Sequence, residues 1–324
     1  METSELLIGP VLEFEKPVIE LARKIEDMKS FTSNENLEFQ EEIVKLENKL
    51  ERLQKEIYGK MTPWNRVQVA RHPRRPYTLD YVNGILTDWV EMHGDRAFAD
   101  DAAMISGMGK IDGRSVFFVG QQKGRDVKEN IRRNFGMPNP EGYRKAMRVM
   151  QMAEKFNRPV ICFVDTPGAY CGIGAEERGQ AEAIARNLRD MAVLKVPIIV
   201  IIIGEGASGG ALGIGVGDRV LMCENAWYCV ISPEGCAAIL WSDRAKAPDM
   251  ADRMHLTADK LKEHNLIDEI VPEPLGGAHR NPKEMIATVK SHLIRHLDEL
   301  GLIPSETLVK NRLEKYYSMG RFSE

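Results

Sequence analysis

Four glycines, a serine and a glutamate lie within residues 204–210, in the order Gly-Glu-Gly-Ala-Ser-Gly-Gly. They follow the apolar run 197–203, whose β-branched residues are typical of a strand buried on both faces. Glycine lets the backbone turn sharply and approach a ligand closely. A helix that begins at Gly209 and Gly210 would point unpaired N–H groups at that ligand. Because such groups stabilise negative charge, the segment predicts a site for an anion or an oxyanion.

Three kinds of chemistry fit this segment. Gly204, Gly206 and Gly209 match G-x-G-x-x-G, and Glu224 follows at the spacing of an NAD(P)-binding fingerprint, which would make the chain an oxidoreductase. The glycines on either side of Ser208 match G-x-S-x-G, the nucleophile elbow of a serine hydrolase. The third interpretation is an oxyanion hole that is built from backbone N–H groups alone.

The residues around the segment weaken the first two interpretations. Glycine recurs at every second position over 213–217, and each costs a helix interior about 1 kcal/mol relative to alanine. The helix would then be too short to pack well under a pyrophosphate, and Glu205 would place a carboxylate in the phosphate cradle. A hydrolase would need an acid and then a histidine downstream. Asp268 and His279 come in that order, but chain order alone does not make a triad.

A second strand–loop–helix unit precedes the first. The apolar run 159–164 leads into the glycine-containing loop 165–174, and a long helix is predicted from Ala175 to about Lys195. Loops at the carboxyl ends of neighbouring parallel strands lie at the same edge of a sheet. We therefore expect the two glycine loops side by side, with one N–H from each directed at the same oxygen, which favours an enolate-type site.

Several long motifs resemble one family, the α subunits of the carboxyltransferase component of bacterial and plastid acetyl-CoA carboxylases. The resemblance is carried by DTPGAY at 165–170, GAEERGQ at 174–180, GEGASGGAL at 204–212, VISPEGC at 230–236 and the blocks 70–81, 132–138 and 274–282. It extends over nearly the whole chain and is weakest in residues 1–60 and 305–324. Cys171 is a departure, since the family is expected to carry proline there.

The resemblance implies an α/β fold of the crotonase-like (ClpP/crotonase) type, a spiral of strand–strand–helix units. We expect this carboxyltransferase domain, with its C-terminal helices, over 61–324 and a helical hairpin or coiled-coil module over 1–60. In the second half of that module, apolar residues recur from Phe39 to Ile57 at alternating spacings of a coiled-coil seam that is too short to stand alone. The module could pack on the body or on a partner, so a scaffolding role is the second functional class.

The activity implied by the resemblance is transfer of a carboxyl group from N-carboxybiotin, held on the biotin carboxyl carrier protein, to acetyl-CoA. The product is malonyl-CoA, which enters fatty acid biosynthesis. The chain would be active only with a β subunit, as an α₂β₂ heterotetramer that works with biotin carboxylase. The family places a zinc ion on the β subunit and none on this chain.

The resemblance also assigns the site residues. The oxyanion of the biotin ureido group would accept hydrogen bonds from backbone N–H groups, and one such donor is worth ~3 kcal/mol of transition-state stabilisation. The predicted donors are Gly209, Gly210, Gly168 and Ala169. The predicted substrate-binding residues are Tyr170, Gly172, Gly206, Ser208 and Gly235. For the Ser208 hydroxyl itself we expect a helix cap or a turn hydrogen bond rather than nucleophilic attack.

Composition sets the remaining limits. The 324 residues have room for one large domain or two ordinary ones. A net charge of −4 argues against general nucleic-acid binding. The five cysteines, an odd number, indicate reduced thiols and a cytoplasmic protein, and no apolar run is long enough to span a membrane. The cysteines lack C-x₂-C spacing, and the His292 and His296 pair lacks a third ligand, so we predict no metal site.

Basic residues cluster in 71–75, 123–133 and 144–148. Such clusters are typical of solvated helix faces and polar loops, but they could also attract the polyanionic end of CoA or an acidic carrier domain. The sequence leaves both interpretations open.

Overall fold

The computed structural model describes residues 6–31 and 37–320. The helices are α1 (Lys16–Phe31), α2 (Leu37–Gly59), α3 (Pro63–Ala70), α4 (Thr78–Ile85), α5 (Val127–Arg132), α6 (Pro140–Lys155), α7 (Ile173–Glu177), α8 (Gln180–Val193), α9 (Ser208–Leu212), α10 (Pro233–Trp241), α11 (Ala247–Arg253), α12 (Ala258–Glu263), α13 (Pro282–Gly301) and α14 (Ser305–Tyr317). The strands are β1 (Thr87–Glu91), β2 (Met104–Ile111), β3 (Arg114–Gln121), β4 (Val160–Thr166), β5 (Ile198–Ala207), β6 (Arg219–Cys223), β7 (Trp227–Cys229) and β8 (Glu269–Val271).

Within the described residues, the strands form one mixed sheet in the order β1-β2-β3-β4-β5-β6-β8. The first three strands are antiparallel, and β3, β4, β5, β6 and β8 run parallel. The short strand β7 pairs with the carboxyl end of β5. Every residue of β4 and β5 is buried, as their unbroken apolar runs predict.

The element boundaries differ from the prediction at two places near the glycine loops. The long helix predicted from Ala175 is two helices, α7 and α8, because Gly179 between them has a left-handed backbone with φ of +81°. Strand β5 continues to Ala207, and α9 begins at Ser208 rather than at Gly209.

Helices α1 and α2 pack against each other as the predicted hairpin. Val18, Ile25 and their neighbours on α1, together with Leu6 from the preceding segment, bury a small apolar core against Leu50. The seam of α2 is partly buried from position 43 to Ile57, and the side chain of Phe39 lies outside the described residues. The division into domains 1–60 and 61–324 remains a prediction.

The segment before α1 is attached to the body through a buried charge. The carboxylate of Glu15 accepts hydrogen bonds from Arg280 at 2.7 Å and from the Tyr58 hydroxyl at 2.8 Å. The ring of His279, fully buried, lies 3.7 Å from the same carboxylate and stacks on His72. Burial alone would raise the pKa of Glu15, but the surrounding donors lower it to about 2. The ionised Glu15 therefore stabilises the folded chain at neutral pH. Burial lowers the pKa of His279 to about 4, so this ring opposes folding only when the pH falls below 6.5.

The free energy of unfolding is expected to fall as the pH drops from 6.5 towards 4. In the unfolded chain His279 takes up a proton below its ordinary pKa of 6.5, whereas in the folded chain it stays neutral down to about 4. One such proton changes the free energy of unfolding by up to about 1.4 kcal/mol per pH unit. Denaturant unfolding at several pH values should therefore show a shallower acid slope in His279→Gln. The exposed His264→Gln serves as the control, and equal slopes in His279→Gln and the wild type would contradict the prediction.

The C-terminal helix is anchored by a second buried charge. The Arg312 side chain on α14 is 0% exposed and binds Asp218 through two hydrogen bonds, at 2.9 and 2.7 Å. Its remaining N–H groups donate to the carbonyls of Met191, Leu194 and Val196. Arg312 thus joins α14 to the end of α8 and to the start of β6.

Candidate functional site

The two glycine loops are in contact. A methyl group placed on Gly210 would lie 2.5 Å from the backbone nitrogen of Ala169 and closer still to the carbonyl carbon of Gly168. Only glycine therefore fits at this point, where the start of α9 meets the loop after β4. The expectation that the loops lie side by side is confirmed.

Backbone N–H groups of both loops are free at this contact. Gly209 and Gly210 occupy the first turn of α9, where N–H groups have no partner within the helix. The N–H of Gly168 donates to Thr166 Oγ1 at 3.1 Å. Among the described residues, no acceptor faces the N–H of Ala169, so Ala169 is the available donor of the first loop.

The buried side chain of Gln121 connects the two loops through hydrogen bonds to the backbone of each. The amide nitrogen of Gln121 donates to the carbonyl of Gly210 at 3.0 Å, and its amide oxygen accepts from the N–H of Asp165 at 3.0 Å. The hydroxyl of Tyr143 also donates to the carbonyl of Gly210, at 3.2 Å. These bonds hold the carbonyl of Gly210 in place at the start of α9.

Ser208 lies exposed at the start of α9 with a left-handed backbone, φ of +59°. The expectation that it caps the helix is wrong, because Ala207 is the N-cap residue and no side chain caps this end. No triad is assembled around Ser208 in the described part of the chain. Asp268 accepts a hydrogen bond from Lys315, and His279 is buried beside the segment that precedes α1. The geometry does not favour a serine hydrolase.

The dinucleotide interpretation is not supported either. Helix α9 has five residues, which is too short to pack under a pyrophosphate. The carboxylate of Glu224, which would hold a ribose, accepts a hydrogen bond from the backbone N–H of Glu273 at 3.1 Å. Glu205 does not enter a phosphate cradle, because it is held in the ionic network described below.

Two of the predicted substrate-binding residues lie on the first loop. The Tyr170 side chain is exposed, while its N–H donates to the Pro138 carbonyl at 3.0 Å. Gly172 is the N-cap residue of α7 and lies against the Tyr170 ring, since a methyl group on Gly172 would lie 2.5 Å from Tyr170 Cε1. Cys171 between them is an exposed thiol. The structure brings these residues together next to the loop contact.

The other predicted binding residues are more dispersed. Gly206 and Ser208 lie on the second loop, and a methyl group on Gly206 would lie 2.8 Å from the Tyr228 ring. Gly235 belongs to the first turn of α10, where its N–H donates to Ser232 Oγ at 3.1 Å. The structure therefore places Gly235 on a separate element from the two loops.

An ionic network, buried at Lys123, Asp165 and Glu205, lies beneath the loops. Lys123 Nζ is 2.6 Å from Asp165 Oδ1 and 2.8 Å from Glu205 Oε2. Arg71 Nε binds the other oxygen of Glu205 at 2.6 Å, and its two terminal nitrogens bind Glu234 on α10. Burial would raise the pKa of Glu205, but Lys123 and Arg71 hold it below its ordinary value. Burial would lower the pKa of Lys123, and the two carboxylates raise it above its ordinary value.

The sequence reasoning missed this network, although it carried a signal. Asp165 and Glu205 are charged residues within otherwise apolar strands, which is costly unless they are paired. Their partners, Arg71 and Lys123, belong to the basic clusters 71–75 and 123–133. The sequence suggested solvated surfaces or CoA attraction for these clusters, not buried ion pairs. Arg125 and Arg133 of the same clusters also bind carboxylates of this chain, those of Asp80 and Glu129.

No group of three or more metal-ligating side chains is arranged around a common point in the described ranges. His292 and His296 both contact the carboxylate of Glu269, at 2.8 and 2.6 Å. Of the helices described, none combines the length and the apolar composition that crossing a membrane requires.

Solved carboxyltransferases share this fold. Transcarboxylase 12S, in a structure with methylmalonyl-coenzyme A and methylmalonic acid bound, superposes with a TM-score of 0.57 at 19% identity over 70% of this chain and 42% of that chain. The β subunit of geranyl-CoA carboxylase from P. aeruginosa superposes with a TM-score of 0.55 at 16% identity over 76% of this chain and 46% of its own. These likenesses confirm the crotonase-like fold.

Sequence comparisons extend over nearly the whole chain. Residues 11–320 match a family described as acetyl co-enzyme A carboxylase carboxyltransferase-like. A protein of Geobacter metallireducens, named acetyl-coenzyme A carboxylase carboxyl transferase subunit alpha, is 59% identical over 97% of this chain and 98% of its own length. A protein of Bacillus thuringiensis with the same name is 57% identical over 96% of each chain. With the family matched over residues 11–320 and both glycine loops in place, the chain belongs to the α subunits of acetyl-CoA carboxylase carboxyltransferase.

Proposed function

We propose that this chain, together with a β subunit, transfers the carboxyl group of N-carboxybiotin to acetyl-CoA and so forms malonyl-CoA. The observation that carries the proposal is the contact of Gly210 with the Gly168–Ala169 peptide, which brings residues of the two loops close together. The family membership and the names of the relatives support the same reaction.

The chain's own contribution is a rigid set of hydrogen-bond donors. Carboxybiotin supplies the carboxyl group, and negative charge develops on its ureido oxygen as that group leaves. The N–H groups of Gly209, Gly210 and Ala169 would donate to this oxygen. Gln121 and Tyr143 hold the carbonyl of Gly210, so the residue that carries one of the donors is already held in place. Each donor is worth ~3 kcal/mol of transition-state stabilisation.

The substrate-binding roles of Tyr170, Gly172, Gly206 and Ser208 are part of the same proposal. All four belong to the two loops that meet at the donors, so they can contact a group that is bound there. Gly235 would contribute from α10, which the ionic network connects to the loops through Glu234.

The partners follow from the reaction. We propose an α₂β₂ assembly in which the β subunit holds the acetyl-CoA enolate and the zinc ion of the family, with biotin presented by a carrier protein that biotin carboxylase loads. The five cysteines are free thiols, which supports a reducing, cytoplasmic setting.

The reverse reaction tests the proposal. Carboxyl transfer from malonyl-CoA to a free biotin derivative is measured for this chain alone and after it is mixed with a β subunit. We expect activity only in the mixture. A folded and associated pair without activity would overturn the proposal. Fluorophosphonate labelling of Ser208 would instead favour the serine hydrolase interpretation. Saturable NAD binding that Glu224→Ala abolishes would favour the oxidoreductase interpretation.

A further inference from the structure

We propose that Lys123 is a positioning residue for carboxyl transfer, one that holds the carboxyl ends of β4 and β5 together and so keeps the two glycine loops in contact. This inference rests on the proposed function and adds to it a side chain that does not itself reach the oxyanion. Three observations support it in turn: a bulge in β5, the ionic contacts of Lys123, and the distance along the chain from those contacts to the loops.

The first observation is an interruption in the pairing of β4 with β5. Val164 pairs with Ile202, but Thr166 pairs with Gly206, so that Asp165 alone stands opposite residues 203–205. The Asp165 carboxylate fills the gap by accepting a hydrogen bond from the N–H of Glu205 at 3.0 Å. The bulge therefore depends on where the Asp165 side chain lies.

Gly204 shows how closely this gap is filled. A methyl group on Gly204 would lie 2.5 Å from Asp165 Oδ1, which leaves no room for a side chain inside the bulge. A small displacement of the Asp165 carboxylate would thus be transmitted directly to the backbone of β5.

The second observation is that Lys123 joins both sides of the bulge. It follows β3 in the chain, and its Nζ binds Asp165 Oδ1 and Glu205 Oε2, at 2.6 and 2.8 Å. Its side chain is only 11% exposed. The stem is enclosed as well, because a methyl group on Gly136 would lie 2.7 Å from Lys123 Cγ. One ammonium group therefore fixes the ends of three neighbouring strands.

The third observation is how near these carboxylates are to the donors. Asp165 immediately precedes Thr166, whose hydroxyl binds both the N–H and the carbonyl of Gly168. Glu205 lies near the end of β5, shortly before α9 begins at Ser208. A displacement of either strand end would move the donors, and a misplacement of about 1 Å can cost about 100-fold in rate.

Electrostatics gives Lys123 its particular importance. The network holds two cations, Arg71 and Lys123, and the three carboxylates of Asp165, Glu205 and Glu234, a net charge of −1. Without Lys123, Asp165 and Glu205 would face each other without a shared cation, and like charges at a buried site move apart or take up a proton. Separation breaks the hydrogen bond from the N–H of Glu205 to Asp165 that closes the bulge, and protonation of Asp165 weakens it.

The test compares three variants in the assembled α–β complex. Lys123→Met removes the ammonium group but keeps the stem, and it leaves unbalanced buried carboxylates that could impair folding. Lys123→Met with Asp165→Asn restores the net charge of −1 while the bridge stays absent. Lys145→Met is the matched control, because Lys145 is another buried lysine, bound to Asp100 at 2.6 Å outside the loop network.

We expect the double variant to fold and to lower kcat by about 100-fold or more, with a KM for malonyl-CoA within about threefold of the wild type. Lys145→Met should keep kcat within about threefold of the wild type even where its stability falls. Hydrogen–deuterium exchange should quicken in peptides that cover 166–172 and 206–212 of the double variant. Peptides of β2 should be unaffected.

A folded double variant with kcat within about threefold of the wild-type pair would overturn the positioning role. An inactive wild-type pair would overturn the proposed function instead. In that event the exchange measurement still decides the role of Lys123, since unchanged exchange in the two loop peptides would overturn it.

Discussion

Gly210→Ala is expected to lower kcat for carboxyl transfer by about 100-fold to 1000-fold, the effect of losing one oxyanion-hole donor or more. The added methyl group would lie 2.5 Å from the nitrogen of Ala169, a distance that atoms do not tolerate, so the two loops must separate. The measurement is steady-state transfer from malonyl-CoA to a biotin derivative in the α–β complex.

Gly209→Ala is the matched comparison for this prediction. A methyl group on Gly209 would meet only the Ile184 side chain, at 3.6 Å, which is an ordinary contact. The N–H of residue 209 would remain, so we expect kcat to fall by less than about tenfold. Denaturant unfolding of both variants checks that the fold persists. Equal kcat values for the two variants would mean that the loop contact does not set the rate.

Arg312→Met is expected to lower the free energy of unfolding by about 3–5 kcal/mol, because it leaves the Asp218 carboxylate buried without its partner. Three backbone carbonyls that Arg312 binds would also lose their donor. Equilibrium unfolding in urea measures the effect.

Lys310→Met on the same helix is the control for the arginine variant. The Lys310 side chain is 74% exposed and lies 3.6 Å from Glu314, so its replacement should leave the unfolding midpoint within experimental error. A loss in Arg312→Met of less than about 1 kcal/mol would show that the buried pair contributes little beyond its own desolvation cost.

The meeting of the two glycine loops could be predicted from the sequence because it depends on simple regularities. Strands β4 and β5 are unbroken apolar runs, such runs pair in parallel, and their carboxyl ends share one edge of the sheet. The family motifs then indicated which peptide units would carry the chemistry.

The details that could not be predicted all depend on tertiary contacts. The N–H of Gly168 donates to the hydroxyl of Thr166. The division of the predicted helix at Gly179 depends on a left-handed backbone there, which the sequence does not predict. Most of all, the contacts of Lys123 with Asp165 and Glu205 require the β5 bulge. A bulge changes which residues face each other, and the pattern of apolar residues is the same with or without it.

Two of the buried arginines, Arg280 and Arg312, bear on the order in which the chain can fold during synthesis. Glu15 must wait for a partner 265 residues further along, and Asp218 for one 94 residues further along. Until Arg280 and Arg312 have been synthesised, the carboxylates of Glu15 and Asp218 remain hydrated. The surfaces that these ion pairs bury in the folded chain stay open to water. A chain built in this way closes its interior late, because the arginines that balance these two carboxylates are made long after the carboxylates themselves.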